Sequence, residues 1–239
     1  MQGSRVVTQR GTVAIEELQL GDEVQTIENG NLHMTTFLGW IHKEADHNEQ
    51  FLKLKTESTQ ITLSEKHVIF YKPKGRERDA MTTTFADLVE EGDLLKVILN
   101  GEVLWERVVD VDRETRKGIY TPLTSAGTIL VDNVLASCYA DFLFQFVVTS
   151  IYHSIPLPQS TSVSQADMAF LPVRLFPWLL DNEESQVKDG LRFYPQLLTW
   201  FGTQINMVES YKEESNLITA TVSFPLAMLV MGIALRLSF

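Results

Sequence analysis

The stretch Ile61-Thr-Leu-Ser-Glu-Lys-His-Val-Ile-Phe-Tyr71 decides the fold. It begins with a β-branched strand pattern, places Ser64 and His67 three residues apart, and returns to an apolar strand pattern. A hydroxyl and an imidazole held between two strands can bind a backbone amide, polarise it and protonate its leaving nitrogen. The spacing Ser-x-x-His is also typical of an ordinary turn with a solvated histidine, so its interpretation depends on the rest of the chain.

The chain before this stretch has the turn signals of an all-β protein. Residues 6–13 are β-prone, and Gly11 suits a hairpin turn within them. Residues 15–24 form the pattern of a short helical turn that leads through Gly-Asp into a strand. Asn29-Gly30 is a hairpin signal, because both residues tolerate the positive φ of a tight primed turn. We therefore expect strands at residues 24–27, 34–41 and 51–54.

A second copy of this layout follows. Residues 85–94 repeat the order leucine, glycine, aspartate and apolar residue of residues 18–24, roughly seventy positions later. Residues 129–139 can be laid over the opening stretch, with Ser64 on Asp132. The repeat predicts two related β subdomains paired by pseudo-twofold symmetry, with chance similarity of short segments as the alternative.

The composition excludes some classes of protein. The 239 residues carry a formal net charge of −11, and the lysines and arginines do not cluster, which argues against nucleic-acid binding. Cys138 is the single cysteine, so neither an internal disulfide nor a cysteine-based zinc site is possible. We expect neither a metal ion nor a cofactor.

The sequence pattern changes near residue 140. Residues 1–140 read as a mainly β domain, whereas residues 141–215 contain aromatic amphipathic segments typical of a helical appendage. Residues 216–239 form an apolar tail, and residues 217–235 carry no charged side chain, about the length that a bilayer core requires. The tail is a membrane segment, a buried hydrophobic helix or an artefactual end. The first residues lack the pattern of a secretory signal.

The chain resembles a known family in several segments. The most specific is Gly118-Ile-Tyr-Thr-Pro-Leu-Thr-Ser-Ala-Gly-Thr-Ile-Leu-Val-Asp-Asn-Val-Leu-Ala-Ser-Cys-Tyr-Ala140. The other segments that carry the likeness are Gly3-Ser4 and residues 15–24, 63–70, 169–175 and 190–198. Together these segments resemble the autoprocessing domain of hedgehog proteins, whose Hint fold is shared with inteins, followed by that family's sterol-recognition region.

The resemblance implies a self-cleavage reaction. In this family a cysteine at the first position of the domain attacks the preceding peptide carbonyl and converts the amide into a thioester. By resemblance, His67 protonates the leaving amine and Ser64 polarises the amide, in the place where the family usually has threonine. The cysteine is expected at or just before Met1. The chain is therefore either a piece that starts inside the domain or a diverged copy that does not cleave.

The resemblance also implies a second step, in which a sterol of the cholesterol type attacks the thioester. The family commonly uses an aspartate as general base, and His42 stands at that place here, with Asp46 as a weaker substitute. An imidazole can act as a base near neutral pH. Cys138 matches a cysteine that the family keeps near its reaction centre, so it is a possible redox partner of the nucleophile or simply a small buried thiol.

The appendage is predicted to contact a sterol or a membrane surface through aromatic side chains, or to bury them in its own core. These side chains are Phe170, Trp178, Phe193, Tyr194 and Trp200.

Three functions compete. The leading hypothesis is self-cleavage with transfer of an upstream signalling domain, present in cis, to a sterol or another nucleophile. This would take place in the secretory pathway or outside the cell, in association with a membrane. The second is a catalytically inactive, membrane-associated lipid-binding module. A protein-splicing intein is disfavoured, because no histidine stands immediately before Asn133 and the residue after it is Val134 in place of a serine, threonine or cysteine.

Overall fold

A computed structural model describes residues 1–76, 78, 80–140, 170, 171, 173–176, 180 and 189–191, the last of these by its main chain only. This part of the chain is mainly antiparallel β structure, which confirms the predicted fold class. Within residues 1–140 the described chain has 3₁₀ turns at Ile15–Glu17 and Ala86–Leu88. The strands are β1 (Arg5–Thr8), β2 (Gly11–Ala14), β3 (Glu23–Glu28), β4 (Asn31–Thr56), β5 (Gln60–Ser64), β6 (His67–Lys72), β7 (Thr82–Phe85), β8 (Leu94–Leu99), β9 (Glu102–Thr124), β10 (Thr128–Val131), β11 (Val134–Ala140) and β12 (Gly190–Leu191).

The two longest strands, β4 and β9, join the halves of the sheet. They run antiparallel to each other from Phe37 opposite Thr124 to Thr56 opposite Val108, with several register shifts. Around this pair the strand order is β10-β11-β6-β8-β9-β4-β3-β1-β2, with β5 and β12 paired to β4 and β7 paired to β6. The two strands predicted at residues 34–41 and 51–54 are parts of the single strand β4. The prediction of separate strands was wrong because β9 pairs with the polar residues between them.

The predicted pseudo-twofold repeat is confirmed in the hydrogen bonds around two buried aspartates. Asp22 accepts the main-chain N–H of Gln19, and Asp93 accepts that of Glu90, each at 2.9 Å. Both aspartates follow a 3₁₀ turn and precede the third strand of their half. Because a buried carboxylate requires partners, each aspartate ties its 3₁₀ turn to the strand that follows it.

The same repeat appears in the hairpins that open β4 and β9. Asn29 and Asn100 have φ of 51° and 53°, and the glycines that follow them, Gly30 and Gly101, have φ of 81° and 83°. Two successive positive φ angles define the primed turn that matches the twist of a hairpin. The hairpin predicted at Asn29-Gly30 is therefore present, and its counterpart uses the same Asn-Gly pair.

Parts of the predicted appendage pack onto the β domain. Residues 170, 171 and 173–175 are helical. The ring of Phe170 lies 5.5 Å from that of Tyr139, and Phe170, Val173 and Leu180 belong to the same buried apolar cluster as the strands. Gly190 pairs with Lys43 of β4. The rest of the appendage and the tail lie outside the described residues, and no helix within the described residues has the length and apolar character needed to span a bilayer.

Candidate functional site

A cavity of about 300 Å³ brings the sequence-predicted site residues together. Ser64, His67 and His42 all line it, and so does Met1. They come from β4, β5 and β6 and from the start of the chain, and the pairing of β4 with β5 places His42 and Ser64 on neighbouring strands. Much of the remaining wall is apolar, and it includes Ile15, Ile61, Ile119, Pro122, Ile129 and Val131.

His67 is held in one tautomer by the main chain of β11. Its Nε2 lies 2.9 Å from the carbonyl oxygen of Ser137, and because a carbonyl only accepts, Nε2 carries the proton. Burial lowers the pKa of His67 to about 4, the Ser137 carbonyl opposes this shift, and the nearby amino group of Met1 adds to it. At neutral pH the imidazole is therefore neutral, and its Nδ1 is free to take up a proton.

Ser64 ends β5, where it stands opposite Phe51 of β4. Within the described part of the chain its hydroxyl makes no hydrogen bond, so the hydroxyl is available to a group that enters the cavity. The two-residue turn between Ser64 and His67 is anchored to the second 3₁₀ turn. The N–H of Asp87 donates to the Glu65 carbonyl at 2.9 Å, and the Lys66 ammonium lies 2.6 Å from the Asp87 carboxylate.

His42 reaches the cavity from β4, where it stands opposite Thr121 of β9. Its Nε2 lies 3.3 Å from one carboxylate oxygen of Glu44, and the other oxygen of Glu44 lies 3.4 Å from Nδ1 of His47. Sequence reasoning missed Glu44, although the alternation of side chains along a strand places positions 42 and 44 on one face. The Glu44 carboxylate therefore lies between the two imidazoles of His42 and His47 and contacts both.

The other two sequence-predicted candidates on the β domain lie away from the cavity wall. Cys138 is buried, and its Sγ lies 3.6 Å from the Thr124 hydroxyl. It neighbours Ser137 in β11, so it is adjacent to the site along the chain. Asp46 is highly exposed and pairs with Lys117 at 2.7 Å. That ion pair lowers the pKa of Asp46.

The start of the chain is fastened beside His67 by main-chain hydrogen bonds. Met1 lines the cavity, and burial lowers the pKa of its amino group to about 6. The N–H of Gln2 donates to the Lys117 carbonyl at 3.2 Å. The N–H of Gly3 donates to the Glu16 carboxylate at 2.9 Å. Each contact restrains the path of the main chain toward the cavity.

Two further anchors hold the next residues. The Ser4 carbonyl accepts the N–H of Ile15 at 2.7 Å. The N–H of Arg5 donates to Oδ1 of Asp132 at 2.7 Å, and the N–H of Asp132 donates to the Arg5 carbonyl at 2.8 Å. Asp132 faces a second, polar cleft of about 670 Å³, whose wall also includes Met1. Sequence reasoning aligned Asp132 with Ser64 but assigned it no role.

Of the aromatic residues predicted to contact a sterol or a membrane, only Phe170 lies within the described residues. Phe170 is buried against Tyr139 in the core. Trp178, Phe193, Tyr194 and Trp200 lie outside the described residues. Among the described residues, no group of three or more histidine, cysteine, aspartate and glutamate side chains is arranged to hold a metal ion.

Comparison with known proteins connects this geometry to a family. The Hint module matches residues 2–207. The Tiggy-winkle hedgehog protein of Danio rerio is 31% identical over 208 residues, which cover 79% of this chain and 44% of that protein. The Sonic hedgehog protein of Xenopus laevis is 34% identical over 143 residues, covering 58% of this chain and 32% of that protein. The chain thus spans from 32% to 44% of the length of these relatives. The crystal structure of the gp41-1 intein has a TM-score of 0.45 and 18% identity, and the match covers 57% of this chain and 94% of the intein.

Proposed function

The chain belongs to the Hint module family, in its hedgehog-type form, and on this premise we propose that it cleaves its own precursor through a thioester. The observation that carries the proposal is the meeting of Met1, Ser64 and His67 in one cavity. A peptide bond that joins residue 1, or the residue before it, to an upstream segment would lie beside an imidazole and an unengaged hydroxyl. These are the groups that amide activation requires.

The first step is an N-to-S acyl shift. A cysteine at the position of Met1, or immediately before it, loses its thiol proton to Nδ1 of His67, and its sulfur attacks the preceding carbonyl carbon. Ser64 donates a hydrogen bond to the scissile amide. The carbon–nitrogen bond then breaks, and the nitrogen leaves as an amine with the proton that His67 carries. The burial of His67 favours the transfer to the amine, because it makes the imidazolium more acidic than an ordinary one.

In the second step a nucleophile resolves the thioester. The hydroxyl of a sterol attacks the thioester carbon, and an ester forms. The cysteine sulfur leaves as a thiolate, which takes up the proton that the hydroxyl has lost. His42 accepts the proton of the hydroxyl, and the Glu44 carboxylate, 3.3 Å from its Nε2, orients the ring. The apolar wall of the cavity suits a sterol that enters it. Water or a thiol would give the free acid or a new thioester in place of the sterol ester.

The remaining roles follow from this reaction. The upstream fragment is a signalling domain in cis, and the acceptor is a sterol presented by residues 141–215 with residues 216–239 at a membrane. The reaction would take place in the secretory pathway. Cys138 serves as a buried core thiol or as a redox partner of the nucleophile. Support for these roles comes from the hedgehog relatives.

The first experiment restores the nucleophile. A folded reporter is fused upstream in two versions, one with Met1→Cys and one with a cysteine inserted before Met1, and dithiothreitol is added. We expect reporter release in one of the two, and a loss of about a hundredfold or more in rate with His67→Ala. His33→Ala, which changes an exposed histidine of β4, is the matched control and should cleave normally. Absence of release in both folded fusions would support the inactive, lipid-binding module.

The second experiment tests the acceptor. Detergent-solubilised cholesterol is added to the cleaving fusion, and the reporter is analysed by mass spectrometry for a sterol ester. We expect His42→Ala to leave cleavage by dithiothreitol intact and to slow sterol transfer by about a hundredfold. His47→Ala, which removes the other histidine beside Glu44, should transfer sterol normally. Free acid in place of sterol ester in the unmutated fusion would exclude the sterol as acceptor.

A further inference from the structure

Asp132 binds the start of the chain through both main-chain groups of one residue. Its carboxylate accepts the N–H of Arg5 at 2.7 Å, and its own N–H donates to the Arg5 carbonyl at 2.8 Å. The hydroxyl of Thr59 donates to the Asp132 carbonyl at 2.6 Å and fixes the turn from the other side. Asp132 is therefore held by Thr59 on one side and attaches Arg5 to the turn between β10 and β11 on the other.

The Asp132 carboxylate is partly removed from water, which costs free energy. This cost indicates that its hydrogen bond to Arg5 has a role. Burial raises the pKa of Asp132, and the N–H of Arg5 acts in the opposite direction. The backbone of Asp132 has a φ of 50°, a conformation that suits a hairpin turn and that glycine, asparagine and aspartate adopt most readily. An asparagine or a glycine would satisfy the turn equally well. The turn alone thus does not require a charge that is partly removed from water.

The sequence repeat aligns Asp132 with Ser64, and each of the two lies where a strand of its half meets the following turn. Ser64 stands at the end of β5, and Asp132 directly follows β10, its counterpart in the repeat. The residues from Met1 to Arg5 run between the two sites, because Met1 lines the cavity of Ser64 as well as the cleft of Asp132. The two related turns therefore face the same segment of main chain.

We propose that Asp132 is a positioning residue for self-cleavage, whose carboxylate fixes Arg5 so that residue 1 stays beside His67. The proposal rests on the proposed function. Ser64 and His67 act on the reacting amide, whereas Asp132 acts on the main chain of Arg5, four residues further along the chain. A displacement of residue 1 by about 1 Å is enough to slow a reaction of this kind by about a hundredfold.

The first test does not depend on cleavage. Hydrogen exchange of the Arg5 amide is measured by NMR in the chain itself and in Asp132→Gly and Asp132→Asn, both of which keep the turn conformation. We expect exchange about tenfold faster or more in Asp132→Gly, because the hydrogen bond to a charged acceptor is lost. Asp132→Asn retains an oxygen acceptor and should protect Arg5 much better. Equal exchange in all three proteins would overturn the anchoring contact.

The second test measures the reaction in the cysteine-restored fusion as a function of dithiothreitol concentration. We expect the saturating rate to fall by about tenfold or more in Asp132→Gly and to recover largely in Asp132→Asn, with the half-saturating concentration unchanged. Glu57→Ala removes another carboxylate from the wall of the same cleft and should cleave normally. An unchanged saturating rate in Asp132→Gly would overturn the positioning role. Failure of the unmutated fusion to cleave would instead contradict the proposed function, and with it the positioning role. The hydrogen-exchange result would still show whether Asp132 binds the Arg5 amide.

Discussion

The stability of the protein should depend on pH through His67, and His67→Gln should remove this dependence. The amide nitrogen of glutamine lies near the place of Nε2, so the variant can still donate to the Ser137 carbonyl, which His67 contacts at 2.9 Å. Glutamine does not titrate. The difference between the two proteins therefore isolates the protonation of one imidazole.

The sign follows from the direction of the pKa shift. The pKa of His67 is about 4 in the folded chain against an ordinary value of 6.5, so the unfolded chain binds the proton more tightly. The contribution is fully present above the unfolded value and is lost as the pH falls from about 6.5 towards 4. Linkage between these two values predicts a loss of about 2 kcal/mol between about pH 7.5 and pH 5.

The measurement is urea unfolding of both proteins at these two pH values, followed by circular dichroism. We expect the wild-type chain to lose about 2 kcal/mol more free energy of unfolding than His67→Gln on acidification. Carboxylates and the amino group of Met1 also titrate, but they titrate in both proteins and cancel in the difference. His33→Gln, at an exposed ion pair, should behave like the wild type. A parallel loss in the wild type and His67→Gln would refute a neutral, buried imidazole in the folded state.

Two further predictions concern packing and buried charge. Gly118→Ala should lower the free energy of unfolding, measured in urea, by about 2–3 kcal/mol, because its new Cβ would lie 2.5 Å from the Tyr120 ring at a φ of 84°. Gly101→Ala, at a φ of 83° in open space, should lower it by about 1 kcal/mol, the cost of the backbone strain alone. Equal losses in the two variants would show that the contact with Tyr120 is irrelevant. Glu106→Ala should cost about 2–4 kcal/mol, since the buried carboxylate accepts the Thr56 hydroxyl at 2.7 Å. Glu106→Gln should cost less, and a larger loss in Glu106→Gln than in Glu106→Ala would contradict the hydrogen-bond explanation.

Local chemistry made much of the β domain predictable. The pair Asn29-Gly30 specifies a primed turn because its two positive φ angles depend on residues next to each other in the chain. The buried aspartate after each 3₁₀ turn contacts an N–H only three residues away, so its motif was visible as a repeat. The continuity of β4 was not visible, because its polar middle is a strand only through its pairing with β9.

Some residues of the candidate site were also predictable from the sequence, and others were not. Ser64 and His67 were recognisable because they share one short turn, and His42 was recognisable by alignment with a family position. Their meeting in one cavity was not deducible, since it depends on strands far apart in sequence. Glu44 and Asp132 were missed for related reasons: Glu44 acquires its meaning only once His42 faces the cavity, and Asp132 contacts a main chain that lies 127 residues away.

The sequence by itself determined the repeat of the β subdomain, the turns within each copy and the residue types that can activate an amide. These features depend on periodicity and on neighbours within a few residues. Only the tertiary structure decided what surrounds each of them. It placed Met1 beside His67, it lowered the pKa of that imidazole through burial, and it attached Arg5 to Asp132. Desolvation and main-chain anchoring are properties of the packed molecule, and distant segments of the chain supply both.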